Sequence, residues 1–363
     1  MSGDGSSSRA GEGELKSLVV GGAFLGVERA VDLLGRFVAL FVFARIAPKD
    51  VYGTYTYLQS WFGALVFLSL PGLSTAVFRS SARGFDGDYL RGVLLRMKFS
   101  LIASAAFVGL SVYFGHAGRA EVSRGFALAA VLALPIYALS DYRSFLHGKR
   151  RFGLATLIAS GLVLLRTALV VIGIAVGFGG AAIFGLNLMG QGVVLVAGLF
   201  VALGLRSNAD RDPNFLSYGT ILSGIAILGS LSYYADRLAV GSLLSMQDLA
   251  DYGVAFLLTE PLRELGVVLN RLFFPRFAAE QRVARDMSYL RALALAALTF
   301  ALLYYPVLLI YRFGVGWLFP RYADVLPLVK WLLVAAFAGV FVILLETYFL
   351  SQDRWLPFEY RYT

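Results

Sequence analysis

Glu28-Arg29-Ala30-Val31-Asp32-Leu33-Leu34-Gly35-Arg36 decides how this chain is read. Four of these nine side chains are ionisable, yet the stretch lies inside an apolar run from about Leu18 to Phe43. At about 1.5 Å per residue such a run crosses a bilayer. A charge at mid-bilayer costs roughly 2.5–3.5 kcal/mol on insertion scales, whereas a Leu or Val returns only about 0.3–0.6. A helix of this composition cannot face lipid all round. Helical spacing puts Arg29, Asp32 and Arg36 on one face at i, i+3 and i+7. Glu28 flanks that face, and Val27, Leu34, Val38 and Phe41 lie opposite. The segment reads as a spanning helix with one wet, charged stripe turned into a bundle.

The rest of the chain agrees. Of 363 residues, 58% are hydrophobic and 15% charged, with a mean hydropathy of +0.73. Soluble domains carry about 25% charged residues. Short alternating segments of the outer-membrane barrel kind are not seen. The fold class expected is therefore an all-α polytopic membrane protein. About ten spans are predicted, near 17–43, 52–77, 93–115, 124–146, 153–177, 180–205, 216–244, 249–274, 288–312 and 325–350. Residues 1–14, rich in Gly and Ser, read as a disordered cytoplasmic tail. Residues 15–205 form a six-helix bundle, 206–215 a cytoplasmic linker, 216–350 a second bundle of four helices, and 351–363 a cytoplasmic tail. No secretory signal peptide is evident.

The net charge of +9 is explained without nucleic acid. With the N-terminus inside, twenty of the 32 basic residues fall in cytoplasmic tails and loops, Arg96 and Arg143 among them. Seven fall outside: Arg45, Lys49, Arg119, Arg124, Arg312, Arg321 and Lys330. The bias orients both termini to the cytoplasm of a plasma (inner) membrane. There are no cysteines, which removes disulfides and thiolate metal sites. The two histidines, His116 and His147, read as loop residues, and no metal or cofactor is expected. Gly-rich phosphate loops, zinc motifs and nucleophile elbows do not occur, so an enzyme is not expected.

Residues 44–55 and 244–255 occupy equivalent places after the first and seventh spans, with Tyr52-Gly53 aligned to Tyr252-Gly253. Repeats of this kind are common in transporters, with substrate bound between the halves. The ionisable residues inside spans extend the candidate site. Glu260, Arg263 and Glu264 share a face of the eighth span, and Asp236 and Arg237 lie mid-way along the seventh. Together with Glu28, Arg29, Asp32 and Arg36 they are the candidate substrate-binding residues. Arginine suits phosphate because its planar fork binds oxygens bidentately and stays charged when desolvated. For each of these residues two readings stand: substrate contact, or an ion pair that holds helices together. Arg166 reads as a structural pair or a snorkelling side chain, and Glu346 as reaching the interface. Pro71-Gly72, Pro135, Pro261 and Pro306 are kink sites.

Two stretches carry a family resemblance. Phe43-Ala44-Arg45-Ile46-Ala47-Pro48-Lys49-Asp50-Val51-Tyr52-Gly53-Thr54-Tyr55, with Leu70-Pro71-Gly72-Leu73-Ser74-Thr75-Ala76-Val77-Phe78-Arg79, resembles the first two helices of Wzx-type polysaccharide (O-antigen) flippases. These belong to the multidrug/oligosaccharidyl-lipid/polysaccharide (MOP) exporter superfamily. Asp236-Arg237-Leu238, Asp251-Tyr252-Gly253 and Phe274-Pro275-Arg276 look like the seventh and eighth helices of that family. The resemblance implies two bundles around a central cationic cavity. Its substrate would be an undecaprenyl-diphosphate-linked oligosaccharide, moved by alternating access for lipopolysaccharide-type surface polysaccharide. It implies the lipid-linked substrate, the bilayer and other polysaccharide-assembly membrane proteins as partners. Family members carry twelve to fourteen helices, and the pattern here stops after about ten. The alternatives are a cation-coupled multidrug-type exporter, whose cavity should hold fewer arginines, and a membrane-embedded polysaccharide polymerase or glycosyltransferase. The latter usually has a large outer loop, and none is read here.

Overall fold

The structure, a computed structural model, describes residues 4–260 and 282–350, with side chains over 21–260 and 287–345. Every regular element among them is helical. In order these are α1 (Asp4–Ile46), α2 (Lys49–Ala64), a 3-10 turn (Leu65–Ser69), α3 (Leu73–Ala82), α4 (Gly87–His116), α5 (Ala120–Leu139), α6 (Tyr142–Gly148), α7 (Phe152–Ala175), α8 (Gly180–Gly204), α9 (Phe215–Leu243), α10 (246–260), α11 (Arg282–Leu318) and α12 (Leu326–Leu350). Seven of the described helices or helix pairs are long and apolar enough to cross a membrane, and eight if the bent α2–α3 pair counts as one span. The chain is thus a multi-pass, all-α membrane protein. The charged stripe keeps α1 out of that count. The helix α1 also takes in residues 4–14, assigned to a tail from sequence. Two residues read as lying in loops are helical instead: His116 ends α4 and His147 lies in α6.

The chain divides into two compact units, Met1–Ala250 and Asp251–Thr363. The core of the first is aromatic. Phe62, Phe107, Phe114, Phe126, Tyr137 and Phe184 are buried together from α2, α4, α5 and α8. The Phe62 and Tyr137 rings lie 4.7 Å apart, and Phe114 and Phe126 5.4 Å. Ring pairs of this kind add about 0.5–1.5 kcal/mol beyond area burial. Outside this core the helices are apolar and exposed, as the flanks of a bundle in lipid must be: Val27, Leu34 and Val38 on α1, Leu157 and Leu164 on α7, Phe200 on α8. In the second unit α11 and α12 pack through Ala292, Val340 and Leu344, with Phe300 on Phe337 at 4.6 Å.

The second span is broken where the sequence places Pro71-Gly72. Residues Lys49–Ser69 and Leu73–Ala82 meet at 57°. Leu70 sits at the break in the left-handed region, φ 55°, a conformation non-glycine residues rarely adopt. Beyond the break, the Gly72 N–H is taken by Ser223 Oγ on α9 at 3.0 Å, not by a helical carbonyl. The missing helical bonds at a proline are thus replaced from a neighbour. Two further close approaches join α2 to the α9 region. A Cβ at Gly63 would overlap the Tyr234 ring, and one at Gly53 would overlap the Met246 carbonyl at the start of α10. Both approaches lie within the first unit and pack α2 against α9 and Met246. Ser245 and Asp248 close a capping box there. The Ser245 N–H and hydroxyl donate to Asp248 Oδ2 (3.0 and 2.6 Å), and the Asp248 N–H donates to Ser245 Oγ (3.1 Å). Those bonds hold the Asp248 carboxyl below its ordinary pKa.

Candidate functional site

The charged stripe of α1 turns toward α6 and α7. Asp32 is its centre. Arg36 Nη2 reaches Asp32 Oδ2 at 2.8 Å, Arg166 Nη2 on α7 reaches Oδ1 at 2.6 Å, and Arg29 Nη1 stands 3.9 Å away. Only the first and last pairs are local in sequence. Glu28, one turn before, is buried and ion-paired to Arg143 of α6. The pair reading of Arg166 is the one the structure takes. Asp32 and Arg166 keep 20% and 25% of their side-chain surface, so the cluster is half-buried, not sealed.

A second charged centre was not legible as such. Arg96, counted with the cytoplasmic-side residues, lies inside α4 and is buried, 3% exposed, against Asp141 at 0%. All three of its guanidinium nitrogens are hydrogen-bonded. Nε donates to the Ser69 carbonyl (3.2 Å), Nη2 to Ser69 Oγ (3.3 Å), and Nη1 to Ser74 Oγ (3.0 Å), Ser140 Oγ (2.8 Å) and Asp141 Oδ1. Ser74 also donates to Asp141. This clamp spans the break in the second span and joins it to α4 and to the α5–α6 corner. Five donors in one fixed plane are what only arginine offers. The signal available in sequence was Asp141 behind a serine at the end of an apolar run, and it has no partner within a helical turn.

Beside the clamp lies a cavity of about 540 Å³, bounded by α2, α4, α5, α8 and α9. Its wall combines Arg96 and Ser140 with Gln191, Ser230, Tyr233 and Tyr234. Tyr137 lines it too, its hydroxyl donating to the Phe62 carbonyl. Apart from the arginine, the surface is uncharged and mainly apolar, with Val66 and Ile136 beside the aromatic rings and a few hydroxyl and amide groups among them. Its size lies within the roughly 300–1,000 Å³ of ligand pockets.

Of the other candidates, Arg237 sits next to this cavity. Its guanidinium lies over the Tyr233 and Tyr234 rings at 4.6 and 5.0 Å, within cation–π range. Its Nη2 donates to the Tyr233 carbonyl at 2.8 Å, and Nε is 3.8 Å from Asp236. Glu260 is buried in the second unit. Arg263 and Glu264 lie outside the described residues, as do Pro261 and the side chain of Glu346. Among the described residues no cluster of His, Asp and Glu is placed to hold a metal ion.

No family model matches the sequence, and no curated protein matches it. Solved structures do. An inward-facing multidrug-resistance MATE transporter of the MOP superfamily superposes with a TM-score of 0.63 at 14% identity, over 90% of this chain and 84% of that one. An outward-facing MATE structure gives 0.60 at 16%, over 93% and 85%. A MOP-superfamily transporter from Pyrococcus furiosus, described as having a binding pocket of reversed polarity, gives 0.52 at 13%, over 93% and 84%. With this likeness along nearly its whole length, the chain has the fold of the MOP-superfamily transporters.

Proposed function

We propose that the protein is a flippase. It moves an undecaprenyl-diphosphate-linked oligosaccharide across the cytoplasmic membrane for surface-polysaccharide synthesis, by alternating access, with both termini in the cytoplasm. One observation carries the choice of an anionic substrate. Each carboxylate of the stripe and the clamp is held by arginine: Asp32 by Arg36 and Arg166, Glu28 by Arg143, Asp141 by Arg96. A carboxylate so held is a poor site for a drug cation or a coupling ion, since a second cation would have to displace a charge-assisted bond. Arginines gathered round one carboxylate suit an incoming anion, which exchanges for that carboxylate.

In this reading the diphosphate competes with Asp32 for Arg29 and Arg36, while the tyrosine, glutamine and serine side chains of the cavity take sugar faces and hydroxyls. Rings bind apolar sugar faces, and the polar groups fix orientation. Solved structures of this fold include inward-facing and outward-facing forms and one with a binding pocket of reversed polarity, which supports alternating access and a substrate unlike a drug cation. A cation-coupled multidrug exporter is the competing reading, because the MATE structures share the fold.

The test is reconstitution in proteoliposomes with a lipid-linked oligosaccharide on one leaflet. The Arg29→Glu/Arg36→Glu double variant should abolish translocation. Unchanged flux in that variant, or proton- or sodium-driven efflux of cationic dyes by the native protein, overturns the proposal.

A further inference from the structure

A second cavity, of about 360 Å³, opens where α4 meets the segment that joins α8 to α9. Ten residues line it, and four are basic: Arg91, Lys98, Arg206 and Arg211. None is acidic. Most of the others are leucines, with Leu94 exposed on the outer face of α4 and Leu216 at the start of α9. Two buried carboxylates beside it are committed elsewhere. Asp86 accepts the Ser207 N–H (2.7 Å) and pairs with Lys149 (2.6 Å). Asp88 accepts the Asp212 N–H at 2.8 Å, and of the four cavity cations it touches only Arg91, at 3.7 Å. The acidic residues of the α3–α4 turn thus face inward and pin the linker, which leaves the cations facing the cavity. Arg206 presents a buried Nε with no hydrogen-bond partner, and such a buried donor costs about 1–3 kcal/mol if it stays unsatisfied.

The position matters as much as the charge. Leu94, Met97, Leu101 and Ile102 are exposed along α4 on either side of Lys98, so the cations sit where an apolar, lipid-type surface ends. Basic pockets between spanning helices at that level bind lipid headgroups. We infer that this cavity holds the phosphate headgroup of a membrane lipid: Arg206, Arg211 and Lys98 contact the phosphate, and the leucines of α4 contact the chains. The inference stands apart from the transport reading. A bulk anionic phospholipid and a polyprenyl diphosphate share the chemistry it requires.

The test uses the full chain in nanodiscs of phosphatidylcholine, with native mass spectrometry to count retained lipid after adding phosphatidylglycerol or, separately, undecaprenyl phosphate. The native protein should retain one or both. At roughly fivefold per basic residue near a membrane surface, Lys98→Gln/Arg206→Gln/Arg211→Gln should bind on the order of a hundredfold more weakly. Arg124→Gln, a basic residue elsewhere on the surface, should bind as the native protein does. Should the triple variant fold poorly, the exposed Arg211→Gln alone should show the fivefold loss. Retention of phosphatidylglycerol alone identifies a bulk-lipid site, and preference for the polyprenyl phosphate a substrate-type site. Equal binding by native and variant proteins, or displacement of the lipid by inorganic phosphate at equal concentration, overturns the inference.

Discussion

Arg166 of α7 donates to Asp32 of α1 at 2.6 Å, across 134 residues of sequence. Arg36 holds the other oxygen of the same carboxylate at 2.8 Å. Asp32 is therefore one joint between the first span and the rest of its bundle, beside the Glu28–Arg143 pair. Replacing it with Ala removes the shared anion and leaves arginines facing one another. For this half-buried cluster the loss should be about 1–3 kcal/mol, below the 3–5 of a fully buried pair. Asp32→Ala should lower the thermal midpoint in detergent, and Asp32→Ala/Arg166→Ala should recover part of it. A double variant no better than the single one contradicts the pairing.

Arg96 tests the buried clamp. Arg96→Ala leaves the buried Asp141 carboxylate without its counter-charge, so the loss should approach about 3–5 kcal/mol. Arg96→Lys keeps the charge but cannot supply the fork to Ser69, Ser74, Ser140 and Asp141 together, so it should rescue only part. Denaturant titration of the purified variants, followed by tryptophan fluorescence, measures both.

Gly53 tests the approach of α2 to Met246. Gly53→Ala drives a methyl into the Met246 carbonyl, and backbone cannot yield as a side chain does. Overpacking of this kind costs about 1–3 kcal/mol. Gly22→Ala on α1, where nothing lies within 4 Å, should be neutral or slightly stabilising, since Ala favours the helix. The comparison reads from thermal melts of the two variants.

Gln191 and Tyr234 test the cavity. Each contributes a polar or aromatic contact to a bound sugar, so Gln191→Ala and Tyr234→Ala should each reduce translocation by about two- to tenfold, the equivalent of one hydrogen bond or stacking contact. Expression and melting should be unchanged for Gln191→Ala. Flux equal to the native rate in both variants would remove the cavity from the transport path.

The native chain has no cysteine, so orientation is accessible by labelling. Ser207→Cys in the α8–α9 segment and Ala117→Cys after α4 are both exposed and lie at opposite ends of spans. A membrane-impermeant maleimide applied to intact cells should label Ala117→Cys alone. Labelling of Ser207→Cys instead reverses the topology.

Sequence alone determined the class of molecule and the axis of its charge. Apolar runs are local, and a bilayer admits only helices or closed barrels for them; the charged stripe of α1 follows from spacing within one helix, and the kink in the second span from Pro71-Gly72. The partners of that stripe did not. Arg143 is one more basic residue in a loop count, and Arg166 an in-span charge with no partner named, until folding brings them to Glu28 and Asp32. Arg96, counted with the cytoplasmic-side residues, meets Asp141, 45 residues on, in the most deeply buried ion pair described. The inward turn of Asp86 and Asp88, which leaves Lys98, Arg206 and Arg211 facing one cavity, is likewise invisible in the chain. The physical reason is common to all of these. Hydropathy is a sum over neighbours in sequence, whereas whether a charge meets a counter-charge, a lipid or a substrate is decided by neighbours in space, and in a helical bundle those come from other helices.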